Sequence, residues 1–282
     1  MDLSDYPLGQ LHAYRLDKKA IELIYEASQS KDAILRQRLS RASQKRAAIL
    51  PYAAMVLNQV VQLGGFDEII VSASGLRKGV IRHGLPNTAG KRDPLFDGID
   101  LYLRLPDQAR RFGQSLFGWL GGALRQGPDL FGDVDVSDRI LEAACRLADS
   151  GARFHPDHRA SMVFDQVLRG PFTGVTHTER LFLALAVGHR YARGLRCPDR
   201  LQPLLTPGLV DFAAQLGACM RVGCVYSGRS ADVLQTSRLE RSRDALVLSV
   251  ETPRTAMVSN EVERRLATAA DLLGSRPEVR TH

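Results

Sequence analysis

The stretch from residue 45 to residue 81 constrains the fold most, because a helix pattern, a strand pattern and a tight turn follow one another without a break. Apolar residues recur at helical spacing over residues 46–63, and two glycines then end the pattern. A β-branched run flanked by polar residues predicts a core strand over residues 68–72. After a turn, a second helix is predicted over residues 76–83. The first part of the chain is therefore expected to be mixed α/β.

The turn before this second helix is a candidate anion site. Gly75 allows a tight turn and a close approach of the backbone to a ligand, and Arg77 and Lys78 follow at the start of the helix. Free N–H groups at a helix N-terminus, together with two cations, favour a phosphate group. Arg77 offers planar paired donors and Lys78 a mobile charge. The alternative is that Arg77 forms a structural ion pair with an acidic residue of a further lobe.

The positive charge of the chain is unevenly distributed. The formal net charge is +7, with six basic residues and one acid between residues 31 and 46, and five basic residues and no acid between residues 77 and 92. Such a charge favours a polyanion, whereas a solvated basic face without a ligand is the alternative. The candidates in the first run are Arg46, at the start of the predicted helix, and Lys45 and Arg41, as a basic track leading to it.

The middle of the chain is helical in pattern. Residues 17–31 and 32–44 suit helices, and residues 85–98 have the Gly, Pro and Asn content of a linker. Helical spacing then continues from residue 99 to residue 228. These patterns predict a first domain over residues 1–84, the linker, and a helical domain over residues 99–228.

The C-terminal segment, residues 229–282, has a different pattern. Two short, partly β-branched runs over residues 233–239 and 246–250 flank a polar turn and predict a β-hairpin. An amphipathic helix is predicted over residues 260–273. The chain is therefore expected to be α+β and mostly α, with this segment as a small appendage packed on the helical domain.

Five motifs stand in order along the chain: Arg46–Pro51, Ile69–Ser72, Gly75–Gly79, His155–Arg159 and Arg180–Ala186. Together they resemble the C-terminal portion of the exopolyphosphatase/guanosine pentaphosphatase (Ppx/GppA) family. The resemblance implies that residues 1–84 are the end of a second actin-like (ribonuclease H-like) domain. It also implies that residues 99–228 form an HD-like helical domain without a complete set of metal ligands.

The family's phosphate-binding loops are not found in this sequence. No segment matches the Asp-x-Gly-Ser-type loop, the Gly-Gly-Gly-Ser-x-Glu loop or the catalytic glutamate. The resemblance implies an enzyme that uses Mg²⁺ to release terminal phosphate from polyphosphate or guanosine pentaphosphate, and the sequence does not decide between these substrates. This chain is expected to be a catalytically incomplete portion that binds polyphosphate. No catalytic or metal residue is assigned, and the binding candidates are Arg41, Lys45, Arg46, Gly75, Arg77 and Lys78. The implied partners are a separate N-terminal lobe and a second copy of the chain.

Two other functions remain open. His155, His158 and Asp165, with His177 and His189, point to a metal phosphohydrolase of the His-Asp type, although an arginine follows His158 where an aspartate is needed. The alternative role of these residues is hydrogen bonding across a helical core. A nucleic-acid-binding module rests on charge alone, because aromatic residues make up 6% of the chain and do not interleave with the basic runs. No nucleic-acid partner is therefore expected.

The composition argues against several other classes. No uncharged apolar run reaches about 18 residues, so no membrane-spanning helix is expected. The charged first 20 residues do not resemble a signal peptide. Four cysteines in 282 residues do not form a disulfide scaffold, so a cytoplasmic location is expected. Cys219 and Cys224 point in different directions on a predicted helix and are expected to be buried thiols, not metal ligands.

Overall fold

The computed structural model describes residues 6–32, 34, 37, 46–85, 92–104, 106–124 and 130–282. The chain forms two compact units, Met1–Leu85 (unit 1) and Pro86–His282 (unit 2). Helices dominate and the sheets are small, so the expected α+β, mostly α class is confirmed.

Unit 1 is built from short strands and amphipathic helices. Its described elements are β1 (Arg15–Asp17), α1 (Lys18–Gln29), α2 (Leu50–Gly64), β2 (Glu68–Ile70) and α3 (Leu76–His83). Strands β1 and β2 pair in antiparallel orientation, and α1 packs against α2.

Helix α2 begins later than the sequence pattern predicted and ends where the glycines placed its end. It starts at Leu50 instead of residue 46, with Pro51 in the first turn, where a missing N–H costs nothing. It ends at Gly64, and Gly65 adopts the left-handed conformation with φ 63°. This conformation is the reason that glycine stops a helix at low cost.

The other predictions for unit 1 are met to different degrees. Helix α1 covers most of the predicted residues 17–31, and α3 covers the predicted residues 76–83. The strand predicted over residues 68–72 is shortened to β2, although the Val71 N–H still donates to the Tyr14 carbonyl oxygen (2.9 Å). The helix predicted over residues 32–44 lies almost wholly outside the described residues.

Unit 2 combines a set of packed helices with a small sheet formed near the end of the chain. Its helices are α4 (Pro94–Leu103), α5 (Asp107–Leu124), α6 (Val134–Leu147), α7 (Arg159–Arg169), α8 (His177–Tyr191), α9 (Pro207–Ser227), α10 (Ala231–Gln235) and α11 (Asn260–Leu272). Its strands are β3 (Ser237–Arg241), β4 (Ala245–Val250) and β5 (Arg276–Thr281).

Helices α8 and α9 form the centre of unit 2. Twelve of the fifteen residues of helix α8 are buried, and the helix packs against both α7 and α9. A Cβ atom at Gly217 of α9 would lie 2.6 Å from the Ala186 carbonyl oxygen and 2.5 Å from the His189 Cβ. Only glycine therefore permits this close crossing, which sets the C-terminal half of α9 beside the end of α8.

The predicted hairpin is confirmed, but its first strand begins later than predicted. β3 and β4 pair in antiparallel orientation with Leu239 opposite Leu248, whereas residues 233–235 belong to α10. The parallel pairing of β5 with β4 was missed, because residues 276–281 carry three charges and a proline and show no apolar alternation. The Trp119 Nε1–H donates to the Ser237 hydroxyl (3.0 Å), so the sheet shares the helical core.

Helix α4 begins inside the segment that the composition suggested as a linker, residues 85–98. Asp93 caps it by accepting a hydrogen bond from the Leu95 N–H (2.8 Å), and Pro94 occupies its first turn. This Asp-Pro pair is a local helix-start signal that outweighs the linker-like composition. Residues 86–91 lie outside the described residues.

One described helix, α9, is long and apolar enough by length and composition alone to cross a membrane. No such helix was expected from the sequence, because Asp211 and Arg221 interrupt the apolar run. The core helix of a globular domain passes the same test, and α9 packs against α8 and α11. Its position at the centre of unit 2 therefore explains its apolar composition.

Candidate functional site

The N-terminus of α3 is open in the way that an anion site requires. Gly75 is the N-terminal cap residue, no side chain caps the helix, and its first turn contains no acidic residue. The preceding turn is held locally, since the Ser74 N–H donates to the Ser72 hydroxyl (3.0 Å). The first N–H groups of a helix lack partners within the helix and carry a partial positive charge.

Arg77 and Lys78 add two cations to this helix start. Both side chains are exposed, and neither forms an ion pair or hydrogen bond with another residue in the described part of the chain. The alternative role of Arg77, an ion pair with an acidic residue, therefore finds no partner among these residues. The geometry leaves both side chains available to an anion.

The remaining candidates of the basic track are resolved only in part. Arg46 is exposed at the turn before α2, where its carbonyl oxygen accepts a hydrogen bond from the Ile49 N–H (3.0 Å). Arg41 and Lys45 lie outside the described residues. The structure thus assigns Arg46, Gly75, Arg77 and Lys78 to unit 1 and leaves the proposed track untested.

The histidines of the alternative metal site do not form one cluster. His155 and His158 lie before α7 with ring centroids 6.0 Å apart, and Asp165 pairs with Arg169 (3.4 Å). His177 and His189 are buried near opposite ends of α8. Across the residues that the structure describes, no group of three or more His, Cys, Asp or Glu side chains is arranged to hold a metal ion.

The cysteines are free thiols in unit 2. Cys145, Cys219 and Cys224 are buried, as expected for small core residues, and Cys197 is partly exposed. Burial raises the pKa of Cys219 to about 12, and the pKa of Cys224 is also raised, chiefly by burial. A thiol that stays protonated at neutral pH is a poor nucleophile and a poor metal ligand.

A fully buried arginine was not anticipated as a structural residue. Arg180, on α8, is 1% exposed and donates hydrogen bonds to the carbonyl oxygens of Gly170 (2.7 Å) and Phe172. Burial lowers the pKa of Arg180 to about 10. Its guanidinium ties the loop before α8 to the helix core, a role for which the sequence gives no local signal.

The comparison with protein-family models settles the family. A model described as the exopolyphosphatase C-terminal domain matches residues 114–279, which is more than half of the chain. This chain belongs to that exopolyphosphatase family. The match begins inside α5 and ends inside β5, so it lies within unit 2. It bears out the resemblance to the C-terminal portion of an exopolyphosphatase/guanosine pentaphosphatase.

No curated protein matches this chain significantly. The family assignment therefore rests on the domain match in unit 2, whereas the candidate anion site lies in unit 1, outside the matched residues.

Proposed function

We propose that this chain is the C-terminal portion of an exopolyphosphatase-type phosphoanhydride hydrolase, and that it contributes binding of the phosphate chain. The substrate is polyphosphate or guanosine pentaphosphate. The observation that carries the proposal is the open N-terminus of α3, where Arg77 and Lys78 have no partner in the described part of the chain. Membership of the exopolyphosphatase family supplies the substrate class.

The chemistry of this helix start suits a phosphate chain. The N–H groups at this helix start donate hydrogen bonds to one phosphate group, and Arg77 donates to two of its oxygens at once. The mobile ammonium group of Lys78 pairs with the negative charge of a neighbouring phosphate. Arg46, with Arg41 and Lys45, would extend the basic wall. Catalysis also needs a base that activates water and loops that hold the transferred phosphate. We assign neither to this chain.

Magnesium is implied by the family, and the described residues do not fit a site for it. Magnesium in phosphate-transfer enzymes is held by one or two carboxylates together with substrate phosphates. The first turn of α3 contains no acidic residue, and across the described residues no group of three or more His, Cys, Asp or Glu side chains is arranged to hold a metal ion. No catalytic step through magnesium is therefore assigned to this chain.

Unit 1 is proposed to be a remnant of an actin-like domain that further polypeptide completes. Helices α2 and α3 expose apolar side chains that a finished domain would cover. Further polypeptide packed on this face would also supply the missing base and phosphate loops. The exposed residues are Ile49, Tyr52, Met55, Val56, Val60, Leu63, Leu76, Val80 and Ile81. The HD-like character of the helices of unit 2 and a homodimer follow from the resemblance, and a cytoplasmic location follows from the composition. All three remain proposals.

The binding proposal is tested by titrating long-chain polyphosphate at two salt concentrations. Affinity is expected to fall steeply with salt, because a bound polyanion releases counterions. The double variant R77A/K78A should bind more weakly, and its salt slope should flatten by about two units, by analogy with contacts to nucleic-acid phosphates. The chain itself is expected to release no phosphate from polyphosphate.

The matched control is R200A/R243A. It removes two exposed arginines of unit 2 that have no partners in the described part of the chain. Arg241 is unsuitable, since it donates to the Leu273 carbonyl oxygen (2.6 Å). If both double variants lost the same affinity for polyphosphate, or if the parent did not bind it at low salt, the proposal would be wrong. The basic runs would then be an ordinary solvated surface without a ligand.

A further inference from the structure

A small cavity lies among α8, α9 and α11 of unit 2, far along the sequence from the α3 site. Its volume is about 120 Å³, and four of its lining side chains are basic: His189, Arg193, Arg221 and Arg265. The rest of the lining is small or apolar, with Ala214, Ala218, Leu272 and the single hydroxyl of Thr268. None of the lining residues is acidic.

The positive charge of this cavity is only partly neutralised by the surrounding acids. Arg193 pairs with Asp271 (2.7 Å), and Arg265 pairs with Glu261, which also takes Arg264. Arg221 has no carboxylate partner in the described part of the chain, and one of its nitrogens, Nη1, donates to the Tyr191 carbonyl oxygen (3.2 Å). One carboxylate therefore serves two arginines, and Arg221 has none.

Two further observations show that these arginines are incompletely satisfied by their surroundings. The Nε atom of Arg265 is buried without a hydrogen-bond partner among the described residues. Burial lowers the pKa of Arg221 to about 10, and repulsion from Arg265, Arg190 and Arg264 adds to the effect. Like charges gathered in a poorly solvated place are unfavourable unless a counter-charge joins them.

We propose that this cavity binds one tetrahedral oxyanion of the phosphate class. Arg221 and Arg265 offer the planar paired donors that phosphate oxygens accept, and Arg193 adds a third guanidinium group to the lining. Pockets for nucleotide-sized ligands span roughly 300–1,000 Å³, so this cavity suits a single phosphate group and no nucleotide. The group is either free orthophosphate or the end of a phosphate chain.

The competing explanation is that Arg221 serves the fold alone. Its bond to Tyr191 satisfies a carbonyl oxygen at the end of α8, which lacks a partner within the helix. This bond uses one of five guanidinium N–H donors. A purely structural arginine would affect stability and leave no response that is specific to phosphate.

The test measures binding of inorganic phosphate by calorimetry, and by the rise in melting temperature, against chloride at matched ionic strength. The parent should show saturable binding and phosphate-dependent stabilisation. R221Q and R265Q should each lose about tenfold or more in affinity, a loss typical of charge-assisted hydrogen bonds. R243Q, which removes an exposed arginine from the β3–β4 turn, should bind like the parent.

A fourth variant keeps the test decisive if the arginine variants fail to fold. A214L fills the cavity and leaves every charge in place, so in the R77A/K78A background it should abolish phosphate binding in a folded chain. Phosphate binding that survives A214L in that background, or a loss in R243Q equal to that in R221Q, would overturn the proposal. No saturable phosphate effect in the parent would also overturn it.

The two sources of the phosphate group are separated in the R77A/K78A background, which lacks the contacts proposed for unit 1. If the cavity takes chain ends, long polyphosphate should compete with orthophosphate there. If it takes free phosphate, polyphosphate should not compete. Orthophosphate binding at the cavity should be unchanged by R77A/K78A in either case, so failure of the α3 proposal would not mimic failure of this one.

Discussion

Units 1 and 2 differ in how completely their apolar and charged side chains find partners. In unit 1, no residue of α3 is buried, and Leu63 of α2 is 85% exposed. In unit 2, α8 buries twelve of its residues, including Arg180. The contrast teaches that unit 2 has an extensive core, whereas unit 1 leaves many apolar side chains of its helices exposed. It also separates two kinds of arginine, exposed at Arg77 and buried with a structural role at Arg180.

The strongest test of this difference between the units is to produce each unit as a separate fragment. Residues 92–282 alone are expected to give a helical circular dichroism spectrum and one cooperative thermal transition, because their core is complete. Residues 1–85 alone are expected to show no cooperative transition, because too little apolar surface is covered. A sharp transition in the shorter fragment would contradict the interpretation of unit 1 as a remnant.

The second test compares the buried and the exposed arginine. R180M should lower the free energy of unfolding by about 2–4 kcal/mol, since it leaves the Gly170 and Phe172 carbonyl oxygens buried without donors. R77M should change it by less than about 0.5 kcal/mol, because its side chain is exposed. Urea denaturation of both variants and the parent measures the difference. Equal effects would remove the distinction between the two roles.

The smallest expected effect is a pH dependence from His189 in unit 2. Burial lowers the pKa of His189 below its ordinary value of 6.5, against hydrogen bonds to the backbone of Ala192 and Arg193. As pH falls below about 6.5, the unfolded chain takes up a proton that the folded chain resists, so stability should fall. Urea denaturation at pH 5.5 and 7.5 should show a smaller difference for H189Q than for the parent.

The control for the pH experiment is H155Q, since the His155 side chain is largely exposed. Its stability should depend on pH as in the parent. If H155Q and H189Q reduced the dependence equally, burial of His189 would not be its cause.

Local patterns predicted much of the fold, and they failed where distant segments meet. The glycine stop of α2, helix α3 and the β3–β4 hairpin follow from glycine conformations, helical spacing and turn chemistry. The parallel strand β5 was missed because the apolar signal resides in β4, which is buried, while β5 is largely exposed. A strand that pairs with a buried strand but is itself exposed shows little apolar alternation in its sequence.

The two candidate sites also differ in how far the sequence could predict them. Gly75, Arg77 and Lys78 are neighbours in the sequence, so their place at a helix start could be predicted from the sequence alone. The cavity arginines stand at positions 193, 221 and 265, and no motif joins them. The composition showed a net excess of positive charge, but it did not indicate where in the structure the cations would come together.

The sequence by itself determined the family, the helical character of the chain and the position of two cations at the start of α3, because each depends on residues close together in the chain. Only the tertiary structure decided which cationic side chains are exposed and which are hydrogen-bonded to distant parts of the chain. Gly217 lets α9 cross close to α8, and this crossing sets Arg221 beside the end of α8. The packing of α11 then adds Arg265 to the same cavity. Contacts between distant helices depend on side-chain volume and burial, which no short stretch of sequence encodes.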